Sequence, residues 1–120
     1  SDTSRNQHKK FDVNYWGPGA HGSLYSDDVK IGGIGAKNVV LGNSYSKFLN
    51  LEEREKLMGL FGFSFPIMSS IDTDKKHTFV DLAKKQNSDL ENVFQMLLKL
   101  DDDARINVGI EVHELLPECK

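Results

Sequence analysis

Chemistry in this chain has to come from side chains that hold a phosphate, ligate a metal or trade protons, and four places offer the right residue types. The first is Gly17-Pro18-Gly19-Ala20-His21-Gly22, which fits the letter of the dinucleotide pattern G-x-G-x-x-G. That pattern works only after a strand and at the start of a helix, with an acidic residue about 20 positions on. Pro18 between two glycines predicts a turn instead. The histidines His8, His21, His77 and His113 share no metal-ligand spacing with one another or with a cysteine, and no His-Glu-x-x-His is present. His113-Glu114 ahead of Cys119 has the residue types of a thiolate site, but no buried base is at hand to activate the thiol. Asp101-Asp102-Asp103 could attract a cation, yet it lacks the glycine and the downstream glutamate of a calcium loop. It reads as a cap for the element that follows. The expectation is a chain without catalytic, cofactor-binding or metal-ligating residues, and without a cofactor.

Composition bounds the rest. With 120 residues, 38% hydrophobic and 28% charged, the chain has the balance of one ordinary globular domain. The net charge of −3 disfavours a bulk electrostatic grip on nucleic acid. No apolar run reaches the ~18 residues of a membrane span, and the polar Ser1–Lys10 does not resemble a signal peptide. A lone cysteine cannot form an internal disulfide, so a reducing, cytoplasmic setting is expected.

Nine of the ten glycines lie between Gly17 and Gly62, which divides the chain into residues 1–49, extended and turn-rich, and residues 50–117, periodic and capped. In the first part Phe11–Trp16, Leu24–Ile31 and Asn38–Leu41 read as short strands. They are punctuated by Gly17-Pro18-Gly19, Gly32-Gly33 and Gly42-Asn43. They predict a small meander or an extended arm.

In the second part Asn50 with Glu53 forms a capping box, and Gly62 closes the helix that it starts. The apolar stretch Phe63–Ile71 reads as a buried loop. Thr73 or Asp74 caps a second helix through Gln86, with Phe79, Val80, Leu82 and Ala83 inward. Ser88 with Glu91 opens a third, whose Leu90, Val93, Phe94, Leu97 and Leu98 recur at helical spacing. Ile106, Val108, Ile110 and Val112 alternate, favouring a terminal strand over a helix from Ala104. The expected fold is α+β: a compact C-terminal bundle of about three helices with a terminal strand, after a Gly-rich, partly β N-terminal region.

Two local resemblances suggest what such a chain does. Ile34–Tyr45 resembles the core of the RIP homotypic interaction motif, an aliphatic residue, Gln, an aliphatic residue and Gly, followed by short polar residues and often Tyr. Val39, Leu41, Gly42 and Tyr45 match, Asn43 suits the polar position, and Val40 stands where that family usually has Gln. The resemblance implies self-association through Val39, Val40, Leu41, Gly42 and Tyr45, in signalling or defence. Physically, a short uncharged β-rich segment can stack in register with its copies. Separately, Phe79–Leu98 has helix-turn-helix-like spacing and, with a following strand, resembles a winged helix. Its would-be recognition helix opens Ser88-Asp89-Leu90-Glu91, without a base, leaving Lys84 and Lys85 as the contacts for nucleic acid. The leading reading is therefore a non-catalytic protein-protein interaction module or adaptor. A winged-helix-like nucleic-acid-binding regulator and a small phage or assembly component are the alternatives.

Overall fold

A computed structural model of the chain describes residues 2–14, 19–45, 59–71, 74, 77–98 and 104–109. Three strands come first: β1 (Arg5–Val13), β2 (Ala20–Ile31) and β3 (Ile34–Ser44). They pair antiparallel in the order β1-β2-β3, a meander. Then come α1 (Phe79–Gln86) and a two-stranded antiparallel ribbon of β4 (Phe94–Leu97) and β5 (Arg105–Val108).

The meander follows from alternation and turn chemistry. Ala20, Gly22, Leu24 and Ser26 of β2 are buried and the residues between them are not, the period of a strand with one covered face. Ile31 and Ile34 face each other across a two-residue turn, where Gly32 takes φ +59. Primed hairpin turns demand that left-handed entry, and glycine adopts it without a Cβ clash.

Two bulges then re-aim side chains. Between the pairs Asp27–Val39 and Val29–Ala36, Lys37 and Asn38 together oppose Asp28. Asn38 takes φ +61, and its N–H donates to Asp28 Oδ1 at 3.1 Å. In β1, Gln7-His8-Lys9 interrupts the ladder between Asn6 and Lys10. There His8 takes φ +54, and Asn6 Oδ1 accepts its N–H at 2.8 Å.

The core is small and lies between β3 and α1. Phe79 and Ala83, one helical turn apart, pack with Ala36 and Val39, all four at most 2% exposed. Burying a Val or a Phe contributes about 1.5–3 kcal/mol. The helix also covers the outer edge of β3. The Val40 N–H donates to the His77 carbonyl at 3.0 Å, and the Lys37 N–H donates to Gln86 Oε1 at 2.7 Å. Gln86 Nε2 returns a bond to the Lys37 carbonyl, and Asn87 Nδ2 donates to the Gly35 carbonyl, each at 3.0 Å. An uncovered edge of this kind invites pairing with other chains.

Several expectations are corrected here. About half of the described residues lie in strands and α1 is the one α-helix among them, so the described fold is β-rich and these residues form no C-terminal helical bundle. The helix expected from Asn50 falls largely outside the described residues; Gly59–Phe61 at its end is not helical. The helix expected from Thr73 starts only at Phe79. The third forms a short turn at Asn87–Leu90 and then the strand β4, because β5 supplies a ladder partner that local periodicity cannot reveal. Without a second helix, the helix-turn-helix reading falls. Gly42-Asn43 is no turn: both sit in β3, and a Cβ on Gly42 would come within 2.7 Å of the Phe11 ring. Nor is Phe63–Ile71 uniformly buried, since Phe65, Ile67 and Met68 are about 70% exposed.

Candidate functional site

The β1–β2 hairpin closes at the pair Val13–Ala20, with residues 14–19 joining the strands. Just below, Asp12 lies opposite His21, and Ser23 opposite Lys10. The end of β3 anchors this base. Tyr45 donates its N–H to the His21 carbonyl at 3.0 Å, and Ser44 Oγ donates to the same oxygen at 3.3 Å. The Tyr45 ring meets His21 edge-on at 6.3 Å, and its hydroxyl hydrogen-bonds Ser23 Oγ. Gly22 makes the close approach possible, because a Cβ there would overlap the Asn43 carbonyl oxygen. The partner of Ser23 Oγ is a phenol rather than an imidazole or carboxylate, so this hydroxyl has no base to activate it. The cluster holds the hairpin in place; it is not a nucleophilic centre.

A cleft of about 450 Å³ opens over the sheet beside α1. Leu24 and Val40 form its floor, Leu82 and Gln86 one wall, and the bulged stretch of β1 the other. Arg5, Lys9 and Lys37 bring positive charge to it, and Asp74 is the one carboxylate among the described residues that line it. Among the described residues no group of three His, Cys, Asp or Glu is placed to hold a metal ion. Residue types alone did not single out Arg5 and Lys9. Their signal is the alternation Arg5-x-Gln7-x-Lys9, which puts three polar side chains along one side of a strand.

The residues expected to mediate contacts are dispersed. Val39 is in the core, and Val40 lies at the cleft floor. Leu41 packs partly against the core, Gly42 lies under Phe11, and Tyr45 anchors the hairpin base. Lys84 Nζ donates to the Leu90 carbonyl, and Lys85 pairs with Asp81 at 2.7 Å. Of the G-x-G-x-x-G stretch, Ala20–Gly22 belongs to β2 and opens no helix, while Gly17 and Pro18 fall outside the described residues. His113, Cys119 and Asp101–Asp103 also fall outside them.

Family comparison decides what this arrangement belongs to. The family model for eukaryotic aspartyl proteases matches residues 1–110. The chain belongs to the eukaryotic aspartyl protease family. It is similar to secreted aspartyl protease 1 of Malassezia globosa, 39% identical over 110 residues, which are 91% of this chain and 27% of that protein. It is also similar to a probable inactive secreted aspartyl protease of the same organism, 29% identical over 114 residues, 91% of this chain and 28% of that protein. The chain spans about a quarter of the length of these curated relatives.

Aspartyl protease membership overturns four expectations. The resemblance to the RIP homotypic interaction motif is a coincidence of an apolar, glycine-flanked strand inside the family match. The adaptor reading, with its winged-helix alternative, gives way to a protease family. So does the non-enzyme reading, which rested on finding no complete catalytic set within 120 residues. The cytoplasmic reading gives way because both relatives are named as secreted. Disulfides mark an oxidising compartment, but a lone cysteine does not mark a reducing one.

Proposed function

We propose that this chain is part of a secreted aspartyl protease that hydrolyses polypeptides outside the cell. The observation that carries this reading is the family match through residues 1–110, supported by 39% identity to a named secreted aspartyl protease. Aspartic proteases work with two carboxylates that share one proton, because like charges about 3 Å apart cannot both ionise. Among the described residues that line the cleft Asp74 is the one carboxylate, and we do not assign it to that pair. The chain's own contribution is positional. Ser44 and Tyr45 tie the closing end of the β1–β2 hairpin to β3 through the His21 carbonyl, which fixes where that hairpin stands.

A chimera tests the reading. Substituting this chain for the matching quarter of Malassezia globosa secreted aspartyl protease 1 should leave cleavage of fluorogenic casein in acid within about tenfold of the parent, a loss below ~1.4 kcal/mol in the barrier. A chimera with a native circular dichroism spectrum and no turnover would sink it. That outcome would favour a non-catalytic member, as the name of the 29% identical relative suggests.

A further inference from the structure

The cleft beside α1 carries charge that runs against that of the chain. The whole chain carries −3, yet among the described residues three permanent cations, Arg5, Lys9 and Lys37, line the cleft against the one carboxylate of Asp74. All three cations are exposed. They stand on two sides: Arg5 and Lys9 on β1, and Lys37 on the bulge of β3. Between them the floor is apolar, with Leu24 2% exposed and Val40 beside it, and Leu82 of α1 extends that surface.

Both sides are braced before any ligand arrives. Gln7 Nε2 donates to Ser26 Oγ at 2.8 Å, which ties the bulge of β1 to β2. Gln86 holds both backbone groups of Lys37, at 2.7 and 3.0 Å. Walls fixed in this way reduce the ordering cost of binding.

We infer that this cleft binds an extended acidic peptide in which carboxylate and apolar side chains alternate. An extended peptide turns successive side chains to opposite sides, so carboxylates can reach the cationic rims while apolar groups reach the part-exposed Val40 and Leu82. A small inorganic anion would engage the rims and leave that floor uncovered. The volume of about 450 Å³ lies within the range of ligand sites and suits a stretch of a few residues. Binding requires this chain alone, so its outcome does not depend on proteolysis.

Fluorescence anisotropy of a fluorescein-labelled (Glu-Leu)4 peptide against the whole chain tests the inference. Saturable binding is expected, weakened at least about fivefold when ionic strength rises from about 0.05 to 0.3 M. The pair Lys9→Glu and Lys37→Glu should weaken it at least about tenfold, a change of ~1.4 kcal/mol. The milder pair Lys9→Gln and Lys37→Gln should weaken it less, with circular dichroism confirming the fold of each. Leu82→Ser should weaken (Glu-Leu)4 but not a (Glu-Ser)4 probe. The inference is overturned if (Glu-Leu)4 does not bind, if (Lys-Leu)4 binds equally well, or if the lysine pairs leave affinity unchanged. It is equally overturned if (Glu-Ser)4 matches (Glu-Leu)4 and inorganic phosphate displaces both, since the cleft is then a simple anion site.

Discussion

The meander with its helix and the segment around β4 and β5 treat apolar side chains in opposite ways. In the first region Val39 and Phe79 are 2% exposed, and the edge of β3 is sealed by His77, Gln86 and Asn87. In the second, Phe65, Ile67 and Leu98 are each more than 70% exposed, and Phe94, Met96 and Ile106 are more than 40% exposed. Phe61 and Phe63 bridge the regions through ring contacts with Phe79 and Phe94, at 5.5 and 5.2 Å. Contiguous exposed apolar surface marks contact surface in folded proteins. The contrast teaches that the meander and α1 cover their own apolar side chains, whereas the second region leaves most of its larger ones facing outward.

The largest effect should come from removing the centre of the first region. Phe79→Ala opens a cavity beneath Val39 and Ala36, at a cost of about 3–5 kcal/mol. Because small domains have only about 5–15 kcal/mol of stability, urea titration by circular dichroism should show a large fall in the unfolding midpoint. A loss under about 1 kcal/mol would mean that the meander does not depend on α1.

Gly22→Ala ranks next. The added methyl overlaps the Asn43 carbonyl oxygen, so the backbone of β3 has to shift, at about 1–3 kcal/mol. Gly42→Ala should cost less, because it meets a ring of Phe11 that can rotate away. Equal midpoints for the two variants would break that ordering.

The smallest effect sharpens the contrast from the other side. Phe65→Ser, Ile67→Ser and Leu98→Ser should each change stability by less than about 0.5 kcal/mol in the chain alone. All three together should reduce the binding of a hydrophobic dye such as ANS, which reports exposed apolar surface. A large loss of stability from any one of them would show that its side chain is already covered.

Legibility in the sequence followed the same division. Glycine punctuation, with the β-branched Val39-Val40, marked extended segments at Leu24–Ile31 and Asn38–Leu41, because the turn between β2 and β3 uses glycine at a positive φ. The first half of β1 was hidden: Arg5–Lys10 is polar and exposed throughout, so it carries no burial pattern. Phe94–Leu97 was misread as helix because an apolar run of that length fits either period, and a ladder formed with Arg105–Val108 decides it. The cleft joins residues as distant as Arg5 and Gln86, a juxtaposition that spacing does not contain. Enzyme family was illegible for a chemical reason: a carboxylate pair is the recognisable signal, and no motif read from these residues marks one.

One consequence of the sealed flank of β3 concerns how the sheet can grow. The outward backbone groups at Gly35, Lys37 and Val40 are already bonded to Asn87, Gln86 and His77, so no further strand can dock along that stretch. Along Gly35–Val40 the sheet therefore has one open side among the described residues, β1. The interruption at Gln7–Lys9 restricts that side further, leaving Lys10–Val13 as the regular ladder next to the hairpin. A strand that enters along β1, from the same polypeptide or another, has its register limited to a window of a few residues.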